Sequence, residues 1–289
     1  MNIEKIKENK SIEELLEFGI INIDKSSGPT SFNVSEFVKK KLNLKKTSHF
    51  GTLDPKVTGV LPVALSRACK LSGYFLGEDK EYVGIMSIHK DMDIKKIRTA
   101  IKEKFIGKII QMPPLKSRVK RQERERSIYE FKLLEKQEKN ILFRVSCEGG
   151  TYIRKLLTDL GDFLTIGAHM LELRRIRAGI FLENDKLYPS VKLYDFEKAV
   201  KRYKEGKEED LRKIIIPAEI IQKLHKVVKI KKDRLKHIMA GVPLLESDLK
   251  EKYKIKKEEI ISVFYENTFV GMYKVIDSDD IFAKAEFVI

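Results

Sequence analysis

Residues 49–64 read HFGTLDPKVTGVLPVA, and the rest of the chain is interpreted outward from this stretch. Gly51, Gly59, Pro55 and Pro62 lie in a largely apolar context, which fixes a specific backbone path. Asp54 precedes Pro55, and the proline ring pushes its predecessor out of the helical region. The pattern predicts a polar loop over 44–53, an aspartate on a constrained turn, and a short apolar strand over 59–65. A carboxylate held there can act as a nucleophile or a base. It can equally be an Asx-type turn residue that bonds its own backbone. Local spacing alone favours the turn residue.

Upstream, residues 1–19 read as one polar lead-in helix with Ile12, Leu15, Leu16 and Phe18 apolar, stopped by Gly19. Residues 20–23 form a short apolar strand. Turn formers follow, and Thr30 or Ser31 caps a helix over 32–42 that turns Phe32, Val34, Phe37 and Val38 inward. Downstream come a helix over 67–76, an alternating strand over 80–89 and a helix over 95–104. Met112-Pro113-Pro114-Leu115 is extended. Strands over 128–134 and 141–146 precede a break at Gly149-Gly150. A helix over 152–163 then carries Ile153, Leu156, Leu157 and Leu160 at helical spacing.

After a charged linker over 204–210 the character changes. Segment 222–257 holds 12 Lys and Arg against four Asp and Glu, and strands over 227–230, 260–265 and 269–275 suggest a small β domain. The expected organisation is a lead-in over 1–19, a large domain over 20–220 and a small one over 221–289. The expected class is α+β, with a central, mainly antiparallel sheet and helices around a basic cleft.

Composition narrows the partners. The net charge is +15, which draws polyanions, nucleic acid first and an anionic membrane surface second. No apolar run reaches the roughly 20 residues of a membrane span, so a soluble, intracellular protein without a membrane role is expected. Cys69 and Cys147 are too far apart in sequence for a metal-binding pair and read as buried thiols. Residues 116–126 add a basic run of Lys116, Arg118, Lys120, Arg121, Arg124 and Arg126.

The stretch GTLDPKVTGVLPVAL (51–65) resembles the catalytic motif of the TruB family of pseudouridine synthases, and is most similar to its archaeal and eukaryotic dyskerin-type branch, the catalytic subunits of box H/ACA ribonucleoproteins. INIDKSSGPTSFNV (21–34) resembles the family's first motif, KEYVGIMSIHKD (80–91) its tyrosine strand, and MPPLKSRVKR (112–121) the proline-basic segment of the H/ACA branch. CEGGTYIRKLLTDLG (147–161) and GAHMLELRRIRAGIF (167–181) complete the set, in the family's order.

The resemblance implies a pseudouridine synthase fold and a reaction that breaks the N1–C1′ bond of uridine and rejoins the base through C5. No redox change or net hydrolysis occurs, so no cofactor or metal is implied. Asp54 matches the catalytic aspartate, whose carboxylate either attacks C1′ or abstracts a 2′ proton. Tyr82 matches the tyrosine that stacks on the extruded base; by itself it is a half-buried strand tyrosine. Arg154 matches the arginine that pairs with the aspartate; by itself it is a solvated helix arginine. Tyr152 and Leu173 match substrate-contacting positions, His49 a histidine that touches the RNA loop, and Lys25, with Gly51, Thr52 and Leu53, support for the catalytic loop. Arg174, Arg175 and Arg177, with Lys116, Arg118, Lys120 and Arg121, would contact RNA phosphates; each run alone is as well explained as a solvated face.

The implied partners are guide RNA, ribosomal RNA or tRNA, and the proteins of an H/ACA particle. The implied location is the cytoplasm of an archaeon, or the nucleolus in a eukaryote. The C-terminal segment stands where the family carries a PUA domain, a small RNA-binding β barrel, but HIMAGVPL (237–244) matches it weakly and lacks the usual proline-glycine step. Ser26-Ser27 replace the family's frequent prolines, and Phe50 a frequent glycine. Two other functions stay open: a stand-alone tRNA synthase, and an inactive RNA-binding scaffold.

Overall fold

The computed structural model describes residues 2–113, 120–276 and 281–289. The chain divides into two compact units, one of Met1–Ile20, Leu65–Leu71 and Ile215–Ile289, the other of Ile21–Ala64 and Ser72–Ile214.

In chain order, the N-terminal segment forms two helices, α1 (Ile3–Glu8) and α2 (Ile12–Glu17), where the sequence suggested one. The break is chemical. Ser11 and Glu14 form a capping box that starts α2 afresh. β1 (Gly19–Lys25) leads to α3 (Ser31–Lys41), whose cap is Thr30: its hydroxyl accepts from Asn33 N at 3.0 Å. Val34 and Val38 take the inward face of α3, whereas Phe32, expected inside, is 64% exposed. β2 (Thr47–His49) and β3 (Thr58–Leu65) flank the Asp54 loop.

Next come α4 (Ser72–Leu76), β4 (Lys80–Ile88), α5 (Ile94–Lys104), β5 (Gly107–Gln111), β6 (Arg124–Gln137) and β7 (Asn140–Cys147). β5 went unread in the sequence because its residues neither alternate cleanly nor bury, apart from Gln111. The segment to residue 214 adds α6 (Ile153–Phe163), β8 (Ala168–Ala178), β9 (Phe181–Leu182), β10 (Val191–Lys192), α7 (Leu193–Lys204) and α8 (Glu209–Ile214).

The sheet runs β10-β1-β3-β8-β4-β7-β6-β5. β1 with β10 and β3 with β8 are parallel, and every step from β8 through β4, β7 and β6 to β5 is antiparallel. β4 alternates strictly. Lys80, Tyr82, Gly84, Met86 and Ile88 are buried, and the residues between them are half-buried, as a period of two demands. This places Tyr82 opposite Arg175 and Gly84 opposite Leu173 on β8.

The unit that contains Ile215–Ile289 holds β11 (Ile215–Pro217), β12 (Lys226–Lys229), α9 (Leu235–Met239), β13 (Ile260–Tyr265), β14 (Thr268–Val275) and β15 (Ala283–Val288). Its sheet order is β12-β13-β14-β15, with β12 parallel to β13 and the rest antiparallel. The order is open. Among the described residues the small sheet does not close into the barrel that the resemblance implied. Its core gathers Val228, Ile230, Ile238, Val263 and Tyr273, and the Tyr273 hydroxyl donates to Ile238 O at 3.0 Å. The N-terminal segment clusters with this unit. Phe18 stacks on Phe269 at 5.3 Å, Ala218 N donates to Phe18 O at 3.1 Å, and Lys10 pairs with the buried Glu219.

Candidate active site

Asp54 sits at the tip of the loop between β2 and β3. Its backbone carbonyl accepts from Val57 N at 3.0 Å, so a turn does form, but its side chain does not serve that turn. The carboxylate pairs instead with the guanidinium of Arg154, in the first turn of α6. Both side chains remain about half exposed, at 48% for Asp54 and 57% for Arg154. An exposed ion pair of this kind is worth about 0–1 kcal/mol to stability. The pair orients an available carboxylate rather than holding the fold together.

The backbone beneath Asp54 is held far more firmly than the side chain. Lys25 is fully buried and donates to Ser26 O at 2.9 Å, Pro55 O at 3.0 Å and Val57 O at 2.8 Å. An ammonium has three donors and no acceptor, so all of Lys25 is committed to this loop. Burial pushes its pKa down, and the charge of Asp54 partly opposes that. Gly28 N donates to the same Pro55 carbonyl at 2.9 Å. On the other side of Asp54, the Ser31 hydroxyl accepts from Leu53 N at 2.8 Å and donates to Leu53 O at 3.1 Å. Thr30 caps α3, which leaves Ser31 free for this task.

The loop's entry and exit meet Arg175. This side chain is 1% exposed; its Nε donates to Val60 O at 2.8 Å and its Nη2 to Gly51 O at 3.0 Å. Gly51 and Gly59 both have positive φ, +95° and +101°, which glycine adopts without strain. A Cβ on Gly59 would also lie 2.2 Å from Arg175 O, so the close passage of β3 over β8 excludes any side chain there. Phe50 packs inward, stacked on Phe75 at 4.5 Å and tilted against Phe181 at 5.9 Å. It therefore anchors the loop from inside. His49 reaches Thr52 Oγ1 at 3.3 Å, and burial, helped by the Arg175 charge, lowers its pKa and favours the neutral ring.

Tyr82 and Leu173, both 7% exposed, lie on the paired strands β4 and β8, with Tyr82 opposite Arg175. Burial pushes the Tyr82 phenol up, so it stays protonated near neutrality. Tyr152 stands at the N-cap of α6. The buried Gln111 brackets it, accepting from Tyr152 N at 3.0 Å and donating to Tyr152 O at 3.2 Å. That bracket sets where α6 begins, and so where Arg154 points.

The three arginines of the β8 run sit in different surroundings. Arg175 is interior and cannot reach a backbone phosphate, which corrects the expectation for that residue. Arg174 is pinned between Asp24 at 3.0 Å and Glu183 at 2.6 Å, and Arg177 faces Glu81 at 3.4 Å. Strand alternation and neighbouring carboxylates absorb the run. Lys120 and Arg121 are exposed, whereas Lys116 and Arg118, with Pro114 and Leu115, lie outside the described residues. Among the described residues no group of three or more His, Cys, Asp and Glu is placed to hold a metal ion, and no helix is long and apolar enough to cross a membrane.

Sequence reasoning missed Ser31 as a loop clamp, Gln111, and the interior position of Arg175. Ser31 was hidden by its value as a helix cap. Gln111 carried no signal, because a lone glutamine before a proline pair has no periodicity. Arg175 was read with its half-buried neighbours as charge, although a β strand sends alternate residues to opposite faces.

A carboxylate on a clamped loop, paired with an arginine, is an arrangement that can attack an electrophilic carbon or abstract a proton. The chain belongs to the TruB family of pseudouridine synthases. The family profile for the N-terminal domain of TruB pseudouridylate synthases matches residues 39–153, and that for the C-terminal domain of tRNA pseudouridylate synthase B matches 154–222. The chain is 50% identical over 221 residues to a probable tRNA pseudouridine synthase B of Methanocaldococcus jannaschii, covering 76% of this chain and 64% of that protein. It is 43% identical over 257 residues to the protein of the same name from Nanoarchaeum equitans, covering 88% and 72%. Among solved structures, Cbf5 in a Cbf5–Nop10–Gar1 complex superimposes with a TM-score of 0.89 at 38% identity, over 98% of this chain and 88% of that one. A chain of an H/ACA ribonucleoprotein bound to a substrate RNA containing 2′-deoxyuridine gives 0.87 at 37% identity.

Proposed function

We propose that this protein isomerises uridine to pseudouridine in RNA, with Asp54 as the reacting carboxylate. The observation that carries the proposal is the Asp54–Arg154 pair on a loop whose flanking carbonyls are held by Lys25, Ser31 and Arg175. Arg154 orients the carboxylate. Tyr82 receives the uracil taken out of its stack, a contact worth roughly 1–3 kcal/mol per base, and Leu173 packs beside it. Tyr152 and His49 contact the substrate, and Lys120 and Arg121 meet its phosphates. The N1–C1′ bond breaks, C1′ joins C5, the C5 proton leaves and N1 gains one. The base keeps its composition, so no redox partner or cofactor is needed.

The proposed substrate is ribosomal RNA directed by a guide RNA, within a particle whose protein partners resemble the Nop10 and Gar1 of the matching structures. The relatives named as tRNA pseudouridine synthases support a second substrate, tRNA without a guide. The archaeal sources of those relatives support a cytoplasmic location. The deciding experiment incubates the protein with tRNA transcripts and, separately, with an assembled guide–substrate complex, then maps pseudouridine. Product in the guided substrate is expected. Product in tRNA alone would overturn the particle reading, and product in neither would overturn the enzyme reading.

A further inference from the structure

We infer that Gln111 is a positioning residue of this site: an amide on β5 that caps α6 from outside the helix and so holds Arg154 against Asp54. The inference rests on the proposed roles of Asp54 and Arg154. The start of α6 carries no cap of its own. Tyr152 occupies the N-cap position, and its side chain makes no capping hydrogen bond. Lys155 stands three residues on, where a capping box places Glu or Gln to accept from the N-cap amide. It pairs instead with Asp159. Thr151 is of a residue type that caps helices, but its hydroxyl donates backwards to Glu148 O at 2.7 Å. Gln111 supplies the missing cap from 41 positions away. Its Oε1 accepts from Tyr152 N at 3.0 Å, and its Nε2 donates to Tyr152 O at 3.2 Å. The same carbonyl receives Leu156 N at 3.0 Å, as the first bond of the helix.

Arg154 is the second residue of α6 and lies in the turn that this cap secures. The first turn of a helix frays most readily, because its leading N–H groups have no partner within the helix. Burial of Ile153, Leu156, Leu157 and Leu160 anchors the apolar face of α6, but the Arg154 side chain is more than half exposed and gains nothing directly from that core. The turn entering α6 is held on the same hairpin. Glu148 N donates to Ser127 O at 2.8 Å, and Ser127 N donates to the Glu148 carboxylate at 3.0 Å. β6 thus fixes the turn at Glu148, its hairpin partner β5 fixes it at Tyr152, and Arg154 follows two residues later. The residue type points the same way. β5 is at the edge of the sheet, and Gln111 is its one buried residue. A buried amide is unfavourable unless its groups are bonded, a demand that an apolar side chain would not make. What glutamine adds is an acceptor and a donor on one planar group, which together grip both backbone polar groups of Tyr152. A displacement near 1 Å at a positioning group is enough to slow a reaction about 100-fold.

The test is a double-mutant cycle on the full chain, with Gln111→Leu, Arg154→Ala and the two combined. Turnover is followed by release of tritium from C5-labelled uridine in whichever RNA the wild-type protein modifies. Gln111→Leu keeps a side chain of similar volume and removes both bonds to Tyr152. It is expected to lose about 10- to 100-fold in kcat with KM within about threefold. In the Arg154→Ala background the same substitution should cost less than about threefold more, because the group it positions is already gone. A merely structural role would lower turnover alike in both backgrounds. Losses that multiply, losses that fall on KM alone, or no loss from Gln111→Leu would overturn the inference.

Amide hydrogen exchange provides a readout that needs no activity. In Gln111→Leu the amides of Tyr152 and Leu156 should exchange faster, while those of Leu160 and of β13 stay unchanged. Unchanged exchange at Tyr152 and Leu156 would refute the cap. Should Gln111→Leu fail to fold, Gln111→Glu takes its place in the cycle. It keeps the acceptor for Tyr152 N but sets an oxygen against Tyr152 O, so a loss in kcat with the same dependence on Arg154 is expected, and a loss independent of Arg154 would overturn the inference. Wild-type protein that releases no tritium from any RNA would refute the functional reading, while the exchange data would still judge the cap.

Discussion

The Asp54 loop and the basic segment 222–257 are both rich in polar groups, but the structure uses them in opposite ways. In the loop, the carbonyls of Gly51, Leu53, Pro55, Val57 and Val60 all accept hydrogen bonds from buried side chains, while the Asp54–Arg154 pair stays exposed. In the segment, Lys232, Lys236, Lys252, Lys254 and Lys257 are exposed and their charge is diffuse. Precision in the first region comes from hydrogen bonds sheltered from water, which a single substitution breaks. Attraction in the second comes from summed charge, which salt screens and single substitutions barely change. The contrast predicts large losses of turnover from the loop and small losses of affinity from the segment.

The largest effect is expected for Asp54→Asn. It should lower turnover by at least about 1,000-fold, equivalent to roughly 4 kcal/mol of barrier, while RNA affinity by filter binding stays within about twofold. Normal turnover would break the comparison at its centre. Arg154→Ala should follow, at about 100-fold in kcat, since loss of a charged partner to the reacting group commonly costs roughly 3 kcal/mol. Its melting temperature should barely move, because the pair is exposed. A large drop in melting temperature would show that the pair is structural after all.

Two further substitutions separate clamp from carboxylate. Lys25→Met removes donors from three carbonyls at once, and kcat should fall about 10-fold or more together with the melting temperature. Ser31→Ala leaves both Leu53 N and Leu53 O without their side-chain partner, which costs about 1–3 kcal/mol and lowers the melting temperature by several degrees for a unit of this size. Its kcat should fall less than that of Lys25→Met. If Ser31→Ala left melting unchanged, water would be satisfying Leu53, and the loop would be wetter than its geometry implies.

The legible parts of the molecule were those with a repeating or stereochemical signal. β4 showed its period of two, α6 its period near 3.6, and Pro55 its restriction on Asp54. Each element formed where these signals placed it, and the Asp54–Arg154 meeting followed from motifs 100 residues apart. What stayed hidden was decided by partners distant in sequence. Arg175 looks identical in sequence to its neighbour Arg174, and only pairing with β3 and β4 makes one interior and the other an ion pair. The split of the first helix at Ser11 comes from a capping box, which a reading by apolar periodicity passes over. The packing of residues 1–20 with the C-terminal unit depends on Phe18 meeting Phe269, a pairing 251 positions apart that no local pattern announces.

The smallest predicted effect is the most direct probe of the basic segment. Neutralising Lys252, Lys254 and Lys257 together to glutamine removes three exposed charges for which no ion pair constrains the side chain. If these lysines meet RNA phosphates, the dependence of log affinity on log salt should become shallower by roughly 0.7–0.9 per lost contact. Affinity at moderate salt should fall severalfold, with kcat at saturating RNA unchanged, because the loop is held by Lys25, Ser31 and Arg175. A change in kcat without a change in salt slope would reverse the roles assigned to the two regions. An unchanged slope and an unchanged kcat would confine the phosphate contacts to the larger unit, where Lys120 and Arg121 are the exposed candidates.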